Sequence, residues 1–499
     1  MNGKGLAILA LLVVVAFVAA DGYHIIGYPP RSIHAWRQSD CIAYAEVYYE
    51  RGNALLQPAQ YYLGGKDGRV ASEFPLLYYL AAQVCKLTGF KYWVLRSITF
   101  LCYLLGLFYL YRIVSLWISD TLTSIFPVII LATSPFYYYY GLNFLPNVPA
   151  ISFSFMGLYY LLLYEHSSKA KDMVIATAVI ILATLLKPTD GGLLWLAYMG
   201  VKLVQWIQGR INRKHLAPLA VSALLIVASM YAWYKYVAWY NDLYGNHINL
   251  QSIFPIWRME EGSILYTINV RMLKVWFSSY HNRILIFLLA GFIIWGFIKW
   301  RSLDKFLRTL TLLLVPGATA YNMLWYNAFG DHDYYQLLNV LPATFLAITL
   351  AEWYSRKALP RATKTVKAIV ATALCLLIAT GIVHNALVQH ERYTDKTLVY
   401  INQDVYEVGP YLRQWGISPK DIIVSVPDNT TNMSLIAFGN PGYGAKLING
   451  AYNMPYFLAH GAKYMIVTDS NYLKDPVYAP YTAKPVGHYK GIYGFYIGQ

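Results

Sequence analysis

Eleven apolar runs set the plan of this chain. They fall at residues 5–20, 94–114, 122–138, 148–164, 173–186, 193–207, 216–234, 284–298, 309–325, 337–353 and 368–387. A helix needs about 20 apolar residues to cross the hydrocarbon core, so the runs predict about eleven transmembrane helices. The first is short. Lys4 precedes it, and Val18, Ala19 and Ala20 would suit signal-peptide cleavage. Ile25 and Ile26 prolong the run and further spans follow, so an uncleaved first helix is expected.

The pattern changes twice. Residues 21–93 form a long polar interruption with two amphipathic pieces. The first places Ile42, Ala45 and Tyr49 on one face and Glu46, Glu50 and Arg51 elsewhere. The second opens on Ser72, Glu73, Phe74 and Pro75, then sets Leu76, Leu77, Leu80, Ala81, Val84 and Leu87 at helical spacing. Both are too short and polar to span, so they are read as interfacial helices. From about residue 389, strands are expected at 421–426 and 463–467, and short helices at 406–415 and 454–460. Pro427, Asp428 and Asn429, then Asn440, Pro441 and Gly442, supply turns. The expected architecture is therefore a polytopic α-helical membrane domain, 1–388, with its external loop at 21–93. A small C-terminal external α/β domain, 389–499, follows.

Charge gives the topology. Only 13% of residues are charged and 57% are hydrophobic; soluble domains carry about 25% charge. A net charge of +15 would suggest nucleic acid in a soluble protein. Here the basic residues gather at Lys169 and Lys171, at Arg210, Arg213 and Lys214, and at 299–308 and 356–367. These clusters alternate correctly if the N-terminus is cytoplasmic. Membrane lipids are thus the expected partners and nucleic acid is not. Residues 21–93, 235–283 and the C-terminal tail then lie outside a plasma membrane, although the first loop is itself basic. Four cysteines show no metal-type spacing. Cys41 and Cys85 fall in one predicted outer loop and could pair, though two free thiols are the commoner case.

The same orientation collects polar residues on the outer face. They are Asp40 and Glu73; Asn143 and Asn147; Lys187 to Asp190; and Asp331 to Tyr335. Ionisable groups beside hydrocarbon are costly and tend to mark function. Each has a plainer use: Asp40 as a helix N-cap, Glu73 in a helical first turn, Asn147 as a cap, Lys187 reaching to the interface. Their convergence on one face favours chemistry, and transfer of a sugar from a lipid phosphate would use such a set. Fixed cations stabilise the departing phosphate, with Arg37, Lys187 and His332 as candidates. A carboxylate takes the acceptor proton: Asp40 is the chosen base, with Glu73 orienting it or raising its pKa. Capping a helix would lower that pKa. A transporter or flippase is the competing class. Such proteins hold ligands near the midplane on broken helices, whereas these landmarks stand at helix ends.

These residues also carry a resemblance. The run Trp36, Arg37, Gln38, Ser39, Asp40 after the first helix resembles the GT-C membrane glycosyltransferases of the family 39-like group. So do Glu73–Leu76, Leu145–Val148, Leu186–Pro188 and His332–Tyr335. That group includes protein O-mannosyltransferases and lipid A aminoarabinose transferases. The resemblance implies a polyprenyl-phosphate sugar donor, inversion at the anomeric carbon, Asp40 as base, and donor-phosphate contacts from His332, Tyr334 and Tyr335. One departure stands out: relatives often carry Asp where this chain has Asn147. An amide is neither a base nor a good ligand for a hard cation, so no essential metal and no cofactor is expected. Sugar and acceptor are not legible in the sequence.

Overall fold

The computed structural model describes residues 3–246, 253, 255–275, 279–395, 398, 402–445, 447–448 and 451–498. Its main helices in chain order are α1 (Gly3–Ala19), α2 (Ala35–Arg51), α3 (Leu76–Thr88), α4 (Tyr92–Val114), α5 (Thr121–Ala132), α6 (Pro135–Gly141), α7 (Asn147–Ser167), α8 (Ala170–Leu186), α9 (Pro188–Ile207), α10 (Leu216–Tyr244), α11 (Arg283–Ile298), α12 (Lys305–Leu324), α13 (Val340–Trp353) and α14 (Lys364–Thr394). Every apolar run of the sequence is helical, with one break at residues 133–134 that splits the run 122–138 into α5 and α6. The chain is a multi-pass membrane protein.

Fewer of these helices than expected are apolar enough over a full membrane thickness. Among the described residues, five segments qualify: Tyr92–Val114, Asn147–Ser167, Arg213–Tyr244, Asp333–Arg361 and Lys364–Thr394. A sixth appears if α5 and α6, bent by 68° at their junction, are counted as one span. Length and polar ends account for the rest: α1 and α8 have 17 residues, α11 has 16, and α9 carries Asp190 near one end and Lys202 towards the other. The α5–α6 bend has a local cause. Ser134 is extended and its Oγ accepts from Tyr137 N–H, while Pro135 has no N–H to continue the first helix.

The chain divides into two compact units. The first is Met1–Ile26, Ser97–Trp233 and Ser252–Glu391; the second is Gly27–Arg96, Tyr234–Gln251 and Arg392–Gln499. In the first unit, α7, α8 and α9 pack on one another, and α9 and α13 both pack on α12. Gly191 lets α9 approach α8 closely, since a Cβ there would overlap the Ala183 carbonyl.

In the second unit the C-terminal segment carries helices α15 (Gly409–Gln414), α16 (Met433–Phe438) and α17 (Met454–Ala459). Its strands β1 (Ile422–Val426), β2 (Gly442–Gly444), β3 (Ala462–Val467), β4 (Pro485–Tyr489) and β5 (Ile492–Tyr496) form one sheet in the order β2-β1-β3-β5-β4. The β1–β2 and β1–β3 pairs are parallel; the pairs of β5 are antiparallel. Ile423, Val424, Val426, Met465, Ile466 and Val467 are fully buried. That explains why β1 and β3, both interior and mostly apolar, are legible in the sequence. The edge strands β2 and β4 and the interior strand β5 are not.

The first loop joins this sheet. Gly442 N–H donates to Tyr61 O at 3.0 Å and Leu63 N–H to Gly442 O at 2.9 Å, so residues 61–63 cover the β2 edge. Loop and C-terminal segment therefore share one compact body. The helix α2 packs against α3 and α16, and Gln38 to Ala45 are buried without a break. It is buried on more sides than the single apolar stripe of an interfacial helix.

Candidate active site

The sequence-selected residues fall into two clusters, one per unit. Arg37, Asp40 and Glu73 belong to the second unit; Asn147, Lys187, His332, Tyr334 and Tyr335 belong to the first.

In the second unit, α2 starts after His34, which adopts a left-handed backbone (φ 56°) and makes no side-chain cap. Asp40 is the sixth residue of the helix, so it does not cap it. Three residues apart, Arg37 and Asp40 share a helix face. Asp40 is only 6% exposed. Its Oδ1 accepts from Thr431 Oγ1 at 2.5 Å and from Asn432 Nδ2 at 2.8 Å. Its Oδ2 takes no hydrogen bond among the described residues and faces Arg37 Nη1 at 3.8 Å. Arg37 pairs directly with Glu73 Oε1.

Glu73 is held on both oxygens. Ser72 Oγ donates to Oε2 at 2.6 Å and Tyr78 OH to Oε1 at 2.6 Å. It stands three residues ahead of α3, outside that helix's first turn. The Tyr78 hydroxyl also lies 3.3 Å from Cys41 Sγ. Cys41 and Cys85 are both free and buried. Burial pushes the Cys41 thiol up to about 12, so it is inert as a nucleophile at neutral pH.

One guanidinium thus serves two carboxylates. Burial raises the Asp40 pKa above the ordinary carboxylate range; Arg37, Thr431 and Asn432 oppose the rise and Glu73 adds to it. The expected lowering by a helix cap is absent because no cap is made. A buried carboxyl with a raised pKa and one oxygen free of donors is suited to accept a proton.

In the first unit, the turn between α8 and α9 builds the second cluster. Lys187 is extended (φ −157°, ψ 101°) because Pro188 disfavours a helical residue before it, and Pro188 then opens α9. Asp190 sits in the first turn of α9, where the helix dipole favours a carboxylate. It is completely buried. Its Oδ2 accepts from Asn147 Nδ2 at 3.2 Å and from Thr189 Oγ1 at 3.1 Å. Asn147 also reaches Tyr334 O at 3.5 Å. Asn147 opens α7 as its first residue, so it is not that helix's cap.

His332, Tyr334 and Tyr335 form a ring stack. His332 lies on Tyr334 at 5.6 Å and on Tyr335 at 6.0 Å, and the two tyrosines are 4.9 Å apart. The Lys187 ammonium sits 5.0 Å over the Tyr335 ring. Among the described residues Lys187 forms no ion pair. Tyr140 OH donates to Asp333 Oδ1, fixing the start of the His332–Tyr335 turn.

Sequence reasoning passed over Thr431, Asn432 and Tyr78, and did not select Asp190 as a site residue. The first two were legible only as glycosylation-type Asn-Thr-Thr and Asn-Met-Ser patterns at 429–434. Their role depends on a contact spanning 391 positions, for which the sequence holds no local signal. Among the described residues no three His, Cys, Asp or Glu side chains cluster so as to hold a metal ion.

Residues 72–233 match the family model described as dolichyl-phosphate-mannose-protein mannosyltransferase. The fold is similar to that of ArnT from Cupriavidus metallidurans, with a TM-score of 0.61, 14% identity, and coverage of 99% of this chain and 98% of that one. A second structure of that protein, bound to undecaprenyl phosphate, gives 0.59 at 13% identity over 99% and 98%. The archaeal oligosaccharyltransferase AglB from Archaeoglobus fulgidus, in complex with an inhibitory peptide and a dolichol-phosphate, gives 0.56 at 11% identity, covering 96% of this chain and 71% of AglB. No curated protein matches the chain by sequence.

Proposed function

We propose that this chain is a GT-C membrane glycosyltransferase that uses a polyprenyl-phosphate sugar donor, and that it carries out an inverting transfer with Asp40 as its base. In this reading an acceptor hydroxyl loses its proton to Asp40. Its oxygen bonds to the anomeric carbon from the face opposite the phosphate. The anomeric carbon–oxygen bond breaks, and its electron pair leaves with the polyprenyl phosphate. The observation that carries the reading is the Arg37–Asp40–Glu73 constellation: a buried carboxyl with one oxygen free of donors, beside a guanidinium fixed by a second carboxylate.

Glu73 keeps Arg37 in place and raises the basicity of Asp40. The candidates for phosphate contact are Lys187 and His332 in the first unit, where Tyr334 and Tyr335 hold the His332 ring and the Lys187 ammonium, and Arg37 in the second. Lys187 is the best supported of these, because it forms no direct ion pair among the described residues and its ammonium lies over the Tyr335 ring. Asn147 positions Asp190. We assign no metal to this chemistry, since an amide at 147 brings no negative charge to a hard cation.

The finer topology belongs to the same proposal. About eleven helices cross a plasma membrane, α2 and α3 belong to an external loop, and 389–499 is an external domain. The basic clusters at 169–171, 210–214, 299–308 and 356–367 support this sidedness.

The test is transfer from native lipid-linked sugars in membranes expressing Asp40→Asn. Loss of transfer at unchanged protein level is expected. Near-normal transfer would remove Asp40 from the base role.

A further inference from the structure

The loop after β1 is organised around a buried carboxylate of its own. Asp428 Oδ1 accepts from Thr430 N–H at 2.8 Å and Thr430 Oγ1 at 2.6 Å, and its Oδ2 accepts from Ser434 N–H at 3.0 Å. Thr430 Oγ1 in turn accepts from Met433 N–H at 3.1 Å. These bonds close the turn tightly and leave two side chains, Thr431 and Asn432, projecting from it. Both end on the same atom, Asp40 Oδ1. Asn432 is fully buried and uses its other end as well: its Oδ1 accepts from Tyr62 N–H at 3.1 Å. The loop is thus tied to the first-loop backbone and to Asp40 together.

A carboxylate used as a base needs one oxygen aimed at the proton and must not rotate. Two donors on Oδ1 meet that need, because they occupy the lone pairs of one oxygen and lock the plane of the group. We infer that Thr431 and Asn432 are positioning residues that hold Asp40 through Oδ1 and reserve Oδ2 as the proton-accepting oxygen, which makes the 428–434 loop of the C-terminal segment part of the catalytic machinery. The inference rests on Asp40 being the base. It gives the C-terminal segment a direct duty in the reaction.

The sign of the electrostatic effect follows. Donors to a carboxylate favour its charged form, so removing one raises the Asp40 pKa. The purified full-length protein is treated with dicyclohexylcarbodiimide, which reacts with protonated buried carboxyls, across a pH series. Labelling of the Asp40 peptide is read by mass spectrometry. Thr431→Val is expected to move the labelling midpoint upward by about half to one pH unit, the scale of one lost hydrogen bond. Thr431→Ser keeps the hydroxyl and should label like the parent. Thr431→Ala removes the same hydroxyl with less crowding and should behave like the valine variant. In membranes, the acid limb of transfer should shift in the same direction in Thr431→Val and not in Thr431→Ser. An unchanged midpoint in both the valine and alanine variants overturns the positioning role and leaves the base assignment standing. Undiminished transfer by Asp40→Asn overturns the base assignment whatever the labelling shows.

Discussion

The two units solve opposite electrostatic problems with similar residues. Each buries an aspartate and places a cation nearby. In the second unit the cation is spent: Arg37 lies between Glu73 and Asp40, and Glu73 is hydrogen-bonded at both oxygens. In the first unit Asp190 is held by neutral donors, Asn147 and Thr189, while Lys187 rests on an aromatic face and forms no ion pair among the described residues. A compensated cluster is a good place to keep a carboxyl near neutrality and move a proton. A cluster whose cation forms no direct ion pair is a good place to receive an anion. The difference lies in where the neutralising carboxylate stands.

The strongest way to break this comparison is to remove the proposed base. Asp40→Asn keeps shape and hydrogen bonding but cannot accept the proton. Transfer should fall by roughly 10²–10⁴-fold, while the thermal unfolding midpoint stays within a few degrees or rises. Glu73→Gln should cost stability instead, because Arg37 would lose its directly paired charge. Removing one partner of a buried pair costs about 3–5 kcal/mol, and Arg37 is not wholly enclosed, so about 2 kcal/mol is expected in denaturant unfolding. Lys187→Met should weaken binding of a polyprenyl phosphate by about tenfold, the equivalent of ~1.4 kcal/mol, with Lys187→Arg retaining most of it. Fluorescence or calorimetric titration reads both.

Smaller effects sharpen the contrast. The raised Asp40 pKa sets a pH window: the base form is present above that pKa and is lost as pH falls through it. The acid limb of the transfer rate should therefore lie above the ordinary carboxylate range near 4. A limb at or below that range would contradict the burial argument. Asn147→Asp would place a second carboxylate against Asp190, where an amide now donates at 3.2 Å. Lowered stability, about 1 kcal/mol at neutral pH and recovering as pH falls, is expected from like-charge repulsion.

Much of this was legible beforehand, and the boundary has a physical shape. Each apolar run became helical, the run 122–138 as two helices, because length and periodicity are local properties. Arg37, Asp40 and Glu73 could be selected because charge at the end of an apolar run is costly wherever it ends up. The plainer roles for Asp40 and Glu73 failed on local detail. His34 starts the first helix six residues before Asp40, and Pro75 starts the second after Glu73. Fewer helices are apolar over a full membrane thickness than there are apolar runs, because several of the helices are short or carry polar ends.

The sequence by itself determined the helices, the central strands and the identity of the chemically loaded residues, since each depends on neighbours within a few turns. Only the tertiary structure decided what those residues do to one another. Hydrogen bonds act over about 3 Å, and the chain brings position 431 to position 40, and 190 to 147, without any local mark. That is why Thr431 and Asn432 were invisible on the line and decisive in space.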